Sequence, residues 1–218
     1  MRPFFRNYGL SLTMLGFFLV LLFVGQVGAG MEQYNEARAK AGQPKVTVGS
    51  YLLSPHFVEA TAENWESEFL QMGIYVFATA WLYQKGSAES KDPRKHHIHS
   101  GSRDVKPDSP WPVRRGGWVL KIYQHSLSLA FLTLFLIAFT LHALGGQRLY
   151  NEERSRDGEP PVTLTRYATS SRFWFESFQN WQSEFLAIGS MVVLSIFLRE
   201  VNSPESKKLS TPHWDNEE

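Results

Sequence analysis

Few side chains in this sequence are of a kind that does chemistry, and the most informative are two glutamates in a repeated setting. Asn64-Trp65-Glu66-Ser67-Glu68-Phe69-Leu70 returns as Asn180-Trp181-Gln182-Ser183-Glu184-Phe185-Leu186, and each copy runs into an apolar stretch. A carboxylate at that place must snorkel to water, pair with a partner or face a wet cavity, because a lone charge in hydrocarbon is costly. Asn64, Ser67, Glu68 and Gln71 recur at i, i+3, i+4 and i+7, so they share one helical face. Asn180, Ser183 and Glu184 take the same places in the second copy.

Two more polar residues fall at a similar depth. Gln26 and His142 each stand four residues before a glycine, Gly30 and Gly146, which is about 6 Å along a helix. Gln26 with Glu68, and His142 with Glu184, are therefore expected to form a polar layer. A His beside a carboxylate can relay protons or supply half of a metal site. Two carboxylates and one His make a weak ligand set, so no metal is expected. The plain alternatives are a hydrogen-bonded layer that fixes helix register and an interfacial anchor whose carboxylate reaches headgroup water. His96, His97 and His99 sit in a polar stretch and read as a solvated run, with adventitious metal capture as the alternative.

Other chemistries lack their residues. The chain has no cysteine, which excludes disulfides, thiolate metal sites and a thiol nucleophile. It shows no phosphate-binding loop, nucleophile elbow, paired zinc motif or dinucleotide fingerprint, so neither a cofactor nor a catalytic role is expected. A formal net charge of +1 gives no electrostatic basis for a nucleic-acid partner.

The elements that must position these residues are helices in four apolar blocks. A mean hydropathy of −0.25 conceals them, because long polar stretches lower the average. Residues 10–30 carry no charge and are long enough to cross a hydrocarbon core of about 30 Å. Arg2 and Arg6 with Val27-Gly28-Ala29 also resemble a signal peptide, but an internal counterpart favours a retained anchor. The helix should continue to Gly42, with Pro44 just beyond. Val46-Thr47-Val48 reads as extended. Ser54-Pro55 is a helix start, and no breaker follows until Gly86, so a helix is expected over 55–85. Residues 126–144 form the third apolar block and 185–198 the fourth, while the stretch between 85 and 111 reads as disordered and the tail as loose. Trp111, Arg114, Arg115 and Trp118 read as an interfacial anchor for the third helix.

Laying Tyr34 on Tyr150, an offset of 116 residues, aligns the two halves without a gap through Lys91 and Lys207. Asn35/Asn151, Gly42/Gly158, Pro44/Pro160, Thr47/Thr163, Tyr51/Tyr167 and Ser54/Ser170 are among the identities. This is the pattern of a duplicated two-helix unit. Two crossings per unit give both copies the same orientation, a parallel repeat. Fourteen Lys and Arg lie in the amino terminus, the linker and the tail, against eight in the two loops inside the units. Both termini are therefore expected in the cytoplasm.

The stretches NYGLSL, YNEARAKAGQP, NWESEFLQMG, GSAESKDP, PWPVRRGGWVLKIYQHSLSLAF, LHALGG and SSRFWFESFQNWQSEFLAIGSMVVLSIFLR resemble a family of uncharacterised bacterial four-helix integral membrane proteins, catalogued as a domain of unknown function. The resemblance implies a bacterial inner membrane and carries no activity.

The expected fold is all-α: four transmembrane helices as two tandem hairpins, with long helices protruding on the outer side. Residues 1–86 make the first repeat, 87–117 a disordered cytoplasmic linker, 118–201 the second repeat and 202–218 a cytoplasmic tail. The expected partners are the lipid bilayer and either a second copy or another membrane protein. A structural or interaction role is expected, with proton or small-cation permeation through Gln26, Glu68, His142 and Glu184 as the alternative.

Overall fold

The computed structural model describes residues 2–90 and 105–216, and the regular structure there is helical throughout. His96, His97, His99 and the 91–104 part of the linker lie outside the described residues. The helices are α1 (Arg2–Val20), α2 (Gly30–Lys40), α3 (Val48–Leu52), α4 (Pro55–Thr79), α5 (Trp111–Arg115), α6 (Gly117–Gln124), α7 (Ser126–Arg156), α8 (Leu164–Ala168) and α9 (Ser171–Phe197). A π-helical segment, Leu21–Ala29, joins α1 to α2 without a break. Two helices are long and apolar enough to cross a membrane, Phe4–Lys40 and Ser126–Arg156.

The chain divides into two compact units. The first comprises Met1–Ala62 and Thr140–Trp174, the second Glu63–Phe139 and Phe175–Glu218.

In the first unit, residues 116 apart make the same local structure. Gly42 (φ 68°) and Gly158 (φ 74°) end their helices in the left-handed conformation that glycine adopts without penalty. Gln43 N–H donates to the Arg38 carbonyl and Glu159 N–H to that of Arg154, closing matching C-terminal caps. Val46 N–H donates to Asn35 Oδ1 and Val162 N–H to Asn151 Oδ1, both at 2.8 Å. Arg38 and Arg154 donate through Nε to the carbonyls of Pro44 and Pro160. Each loop is thus tied to the helix before it by an asparagine amide and an arginine guanidinium, and the second also by Gln147, whose Nε2 donates to the Val162 carbonyl.

Thr47 has the expected extended backbone (φ −80°, ψ 164°), but Val48 already opens α3. Thr47 is the N-cap of α3, its hydroxyl accepting from Ser50 N–H, and Thr163 does the same for α8 with Arg166 N–H. The hydroxyl satisfies a backbone donor that a helix start otherwise leaves unpaired, and this turns the chain into a helix at Val48 despite its β preference. Ser54 Oγ caps α4 through Phe57 N–H, as the sequence suggests. The short helices bury Tyr51 and Tyr167.

In the second unit α4 ends at Thr79, short of the expected residue 85. The chain turns at Ala80 and Trp81 and folds back, with Ser90 Oγ bonded to both the N–H and the carbonyl of Gln84. The last carbonyls of α9 accept from Arg199, whose Nη1 reaches Ser195, Ile196 and Leu198. A guanidinium at a helix C-terminus also complements the helix dipole. The tail is not loose. Lys207 is 4% exposed and its Nζ donates to the carbonyls of Pro212, His213 and Asp215. Asn216 accepts from Tyr83 Oη and Gly86 N–H and donates to the carbonyls of Ser87 and Ser90. The end of the linker is also ordered, since Trp111–Arg115 and Gly117–Gln124 are helical.

Candidate functional site

Gln26 lies in the π-helical segment, where backbone bonding to the fifth residue back widens the turn. Its Nε2 donates to Thr61 Oγ1 at 2.8 Å, in place of the expected Glu68. The difference has a physical reason. α4 ends at Thr79, six residues short of the expected 85, so the level on this helix that faces Gln26 falls nearly two turns closer to its start than expected. Thr61 precedes Glu68 by seven residues, two helical turns on the same face.

His142 is fully buried in the first unit, its ring 4.8 Å from that of Phe173. A ligating nitrogen of His142 and a carboxylate oxygen of Glu59 lie within 4.8 Å of each other. One turn along α7, Gly145 makes this approach of helices possible, because a Cβ there would stand 2.8 Å from the Glu59 backbone nitrogen. A carboxylate beside a buried imidazole can hold a shared proton.

The second unit holds the two glutamates of the repeated motif. Glu68 is exposed and Glu184 half-buried, and the two charges repel. Gln71 Nε2 donates to the Glu184 backbone carbonyl at 3.4 Å. Asn64 and Ser183 are exposed, and the hydroxyls of Ser67 and Ser183 return to the carbonyls of Asn64 and Asn180 within their own helices. Asn180 Nδ2 donates to Glu63 Oε1 at 2.5 Å.

Among the described residues, the most buried carboxylate is neither of the two repeated glutamates. Glu66 is fully buried, and Trp181 Nε1 donates to its Oε1 at 3.2 Å. Glu66 corresponds to Gln182 in the second copy, so attention to what repeats hides it. The available signal was different: Glu59, Glu63 and Glu66 follow helical spacing of four and three, a carboxylate stripe that the second copy replaces with Phe175, Gln179 and Gln182.

These features describe an all-helical protein with two helices of membrane-spanning length and composition. Residues 1–218 match the family described as domain of unknown function DUF6766, and the chain belongs to that family. No curated protein and no solved structure matches it.

Proposed function

We propose that this chain is an integral protein of a bacterial inner membrane, with four crossings arranged as two duplicated hairpins and a non-catalytic structural or interaction role. One observation carries the membrane reading. Only 6% of the most apolar window of the first long helix is buried, and 11% of that in Ser126–Arg156. A core helix of a soluble protein has its apolar face covered, whereas here Phe17, Phe18, Leu21, Phe23 and Val24 all face outward. Leaving such a band in water would forfeit roughly 25 cal/mol for each Å². Lipid is the solvent that removes the cost.

Helices α4 and α9 complete the four crossings in this reading, with both termini in the cytoplasm on the Lys and Arg distribution. Resistance of the protein to alkaline carbonate extraction tests the membrane reading, and release into the supernatant would sink it. A reporter fused after Glu218 should be cytoplasmic; export would overturn the orientation.

Glu68 supports a partner within the membrane. An exposed carboxylate part-way along a spanning helix costs up to about 2.5–3.5 kcal/mol unless something covers it. A second copy or another membrane protein on that face would do so, and no nucleic-acid partner is proposed. The chain has no native cysteine, so Glu68→Cys gives one crosslinking site. A disulfide-linked dimer in native membranes is expected from a second copy; a crosslink to a different protein would replace that partner, and no crosslink would remove the proposed face.

A second reading, proton or small-cation permeation, is favoured by the Glu59–His142 pair and by the buried Glu66. Flux into liposomes that disappears in Glu59→Gln with His142→Gln would establish it, and absence of flux in the wild type would exclude it.

A further inference from the structure

The first unit contains two grooves built on equivalent stretches of the two copies. The larger, about 1140 Å³, is walled by the ends of α2 and α7. The smaller, about 670 Å³, uses the start of α2 and the loop after it. Glu32, Asn35 and Glu36 line the smaller groove, and their counterparts 116 residues on, Arg148, Asn151 and Glu152, line the larger. The scaffold is shared and the charge is not.

The larger groove gathers Arg38, Lys40, Arg148 and Arg156 around a single carboxylate, Glu152. That carboxylate is already engaged, accepting from Tyr34 Oη at 3.3 Å with Arg156 at 3.9 Å. Neighbouring acids are also occupied: Glu153 pairs with Arg172, and Glu159 with Arg154. Arg38 is held in position, its Nε on the Pro44 carbonyl and its guanidinium 5.7 Å from the centre of the Tyr34 ring. Lys40 and Arg148 are exposed, with neither a hydrogen bond nor an ion pair among the described residues. Like charges collected in one concavity repel unless a counter-charge enters.

We propose that this groove binds a diphosphate or another anion carrying two phosphate groups. The guanidinium fork matches phosphate oxygens two at a time, and Lys adds a point charge. Arg148 and Arg156 are eight residues apart on α7, about 12 Å along the axis, which suits two phosphates better than one. The ligand can be a free anion or a lipid headgroup, since Arg148 lies only two residues beyond Gly146. The headgroup source rests on the membrane reading above; the anion chemistry does not.

The test uses the full chain in phosphatidylcholine nanodiscs, titrated with inorganic pyrophosphate in a calorimeter. Saturable binding is expected, weakened about tenfold or more by Arg148→Glu and by Arg156→Glu, and weakened by high salt. Arg148→Glu restores the residue type found at the equivalent position of the smaller groove, on an exposed surface, and unchanged circular dichroism will show that the fold survives. In a parallel arm, native mass spectrometry of protein from nanodiscs containing cardiolipin distinguishes the sources: retained cardiolipin that Arg148→Glu releases assigns the groove to a headgroup, and binding of pyrophosphate alone assigns it to a free anion. No binding of either ligand to the wild type, or affinities indifferent to Arg148→Glu, would overturn the proposal. Carbonate extraction reports separately on the membrane reading.

Discussion

The hydroxyl of Tyr51 occupies the space that a Cβ on Gly30 would need, and Tyr167 stands in the same relation to Gly146. Both tyrosines are 1% exposed, so neither ring has room to swing away. Gly30→Ala and Gly146→Ala should each destabilise the fold by about 1–3 kcal/mol, the usual cost of overpacking. The copies differ in what lies behind the hydroxyl. Without it, the ring carbon Cζ would stand 3.3 Å from the new Cβ at Gly30 but 2.8 Å at Gly146. Tyr51→Phe should therefore recover much of the loss in Gly30→Ala, and Tyr167→Phe little of that in Gly146→Ala. Thermal unfolding of the four variants in detergent decides this, and equal rescue would contradict the packing.

His56 should make the first unit sensitive to acid. Its ring nitrogen Nδ1 bonds the Tyr51 hydroxyl at 3.1 Å, and its ring lies 5.3 Å from that of Tyr34. Burial pushes its pKa below the ordinary histidine value, and the nearby Glu152 carboxylate only partly opposes this. The unfolded chain therefore binds the proton more readily than the folded one. Stability should fall as pH drops from about 6.5 and level off below the folded-state value. His56→Gln, which keeps a hydrogen-bonding side chain, should flatten the profile between pH 7 and 5. Unfolding midpoints measured across that range check it; an unchanged slope in the variant would assign the effect elsewhere.

What the sequence made legible follows from the kind of signal each feature carries. Gly42 and Ser54-Pro55 are local punctuation whose meaning rests on backbone geometry, and both stand where their chemistry requires. The offset of 116 residues likewise identified pairs that make equivalent bonds, among them Asn35 with Val46 and Asn151 with Val162. The short helix that starts at Val48 was missed because a helix of only five residues leaves no periodicity to weigh against the β preference of a valine. Glu66 was missed for another reason: it faces Gln182 in the repeat alignment and so does not recur, and although it continues the spacing of Glu59 and Glu63, no pattern within one helix says that Trp181 of α9 will bond it.

Glu89, in the second unit, predicts the opposite pH response. Beyond the end of α4, its Oε2 accepts the Tyr75 hydroxyl at 2.5 Å while its Oε1 is buried without a hydrogen-bond partner among the described residues. Burial raises its pKa, the Tyr75 bond offsets part of this, and its counterpart Glu205 adds to the rise. Here the folded state holds the proton more tightly. Stability should decline as pH rises from the ordinary carboxyl range through the folded-state value, then become constant. Glu89→Gln keeps the acceptor for Tyr75 and removes the charge, so it should raise the unfolding midpoint at pH 7 and abolish that decline. A lower midpoint at neutral pH would show that the ionised carboxylate is the stabilising form.

The carboxy-terminal segment should behave as part of the fold, because Lys207 and Asn216 have no satisfactory alternative to the bonds they make. Lys207 Nζ is enclosed by three carbonyls that all belong to 212–215. Its counterpart in the first copy is Lys91. Asn216 uses both ends of its amide on the 83–90 loop, with four hydrogen bonds of 2.7 to 3.1 Å. Each is worth about 0.5–1.5 kcal/mol net, and a buried ammonium left without acceptors costs more than one such bond. Deleting 212–218 should therefore lower stability more than Asn216→Ala does, since the deletion also strands Lys207. Adding Lys207→Met to the deletion should recover part of the loss, because the uncompensated charge is then gone. Limited proteolysis gives an independent reading: the bond after Lys207 should resist trypsin in the wild type and become cleavable in Asn216→Ala. Equal cleavage of the two proteins would mean that Asn216 does not hold the segment in place.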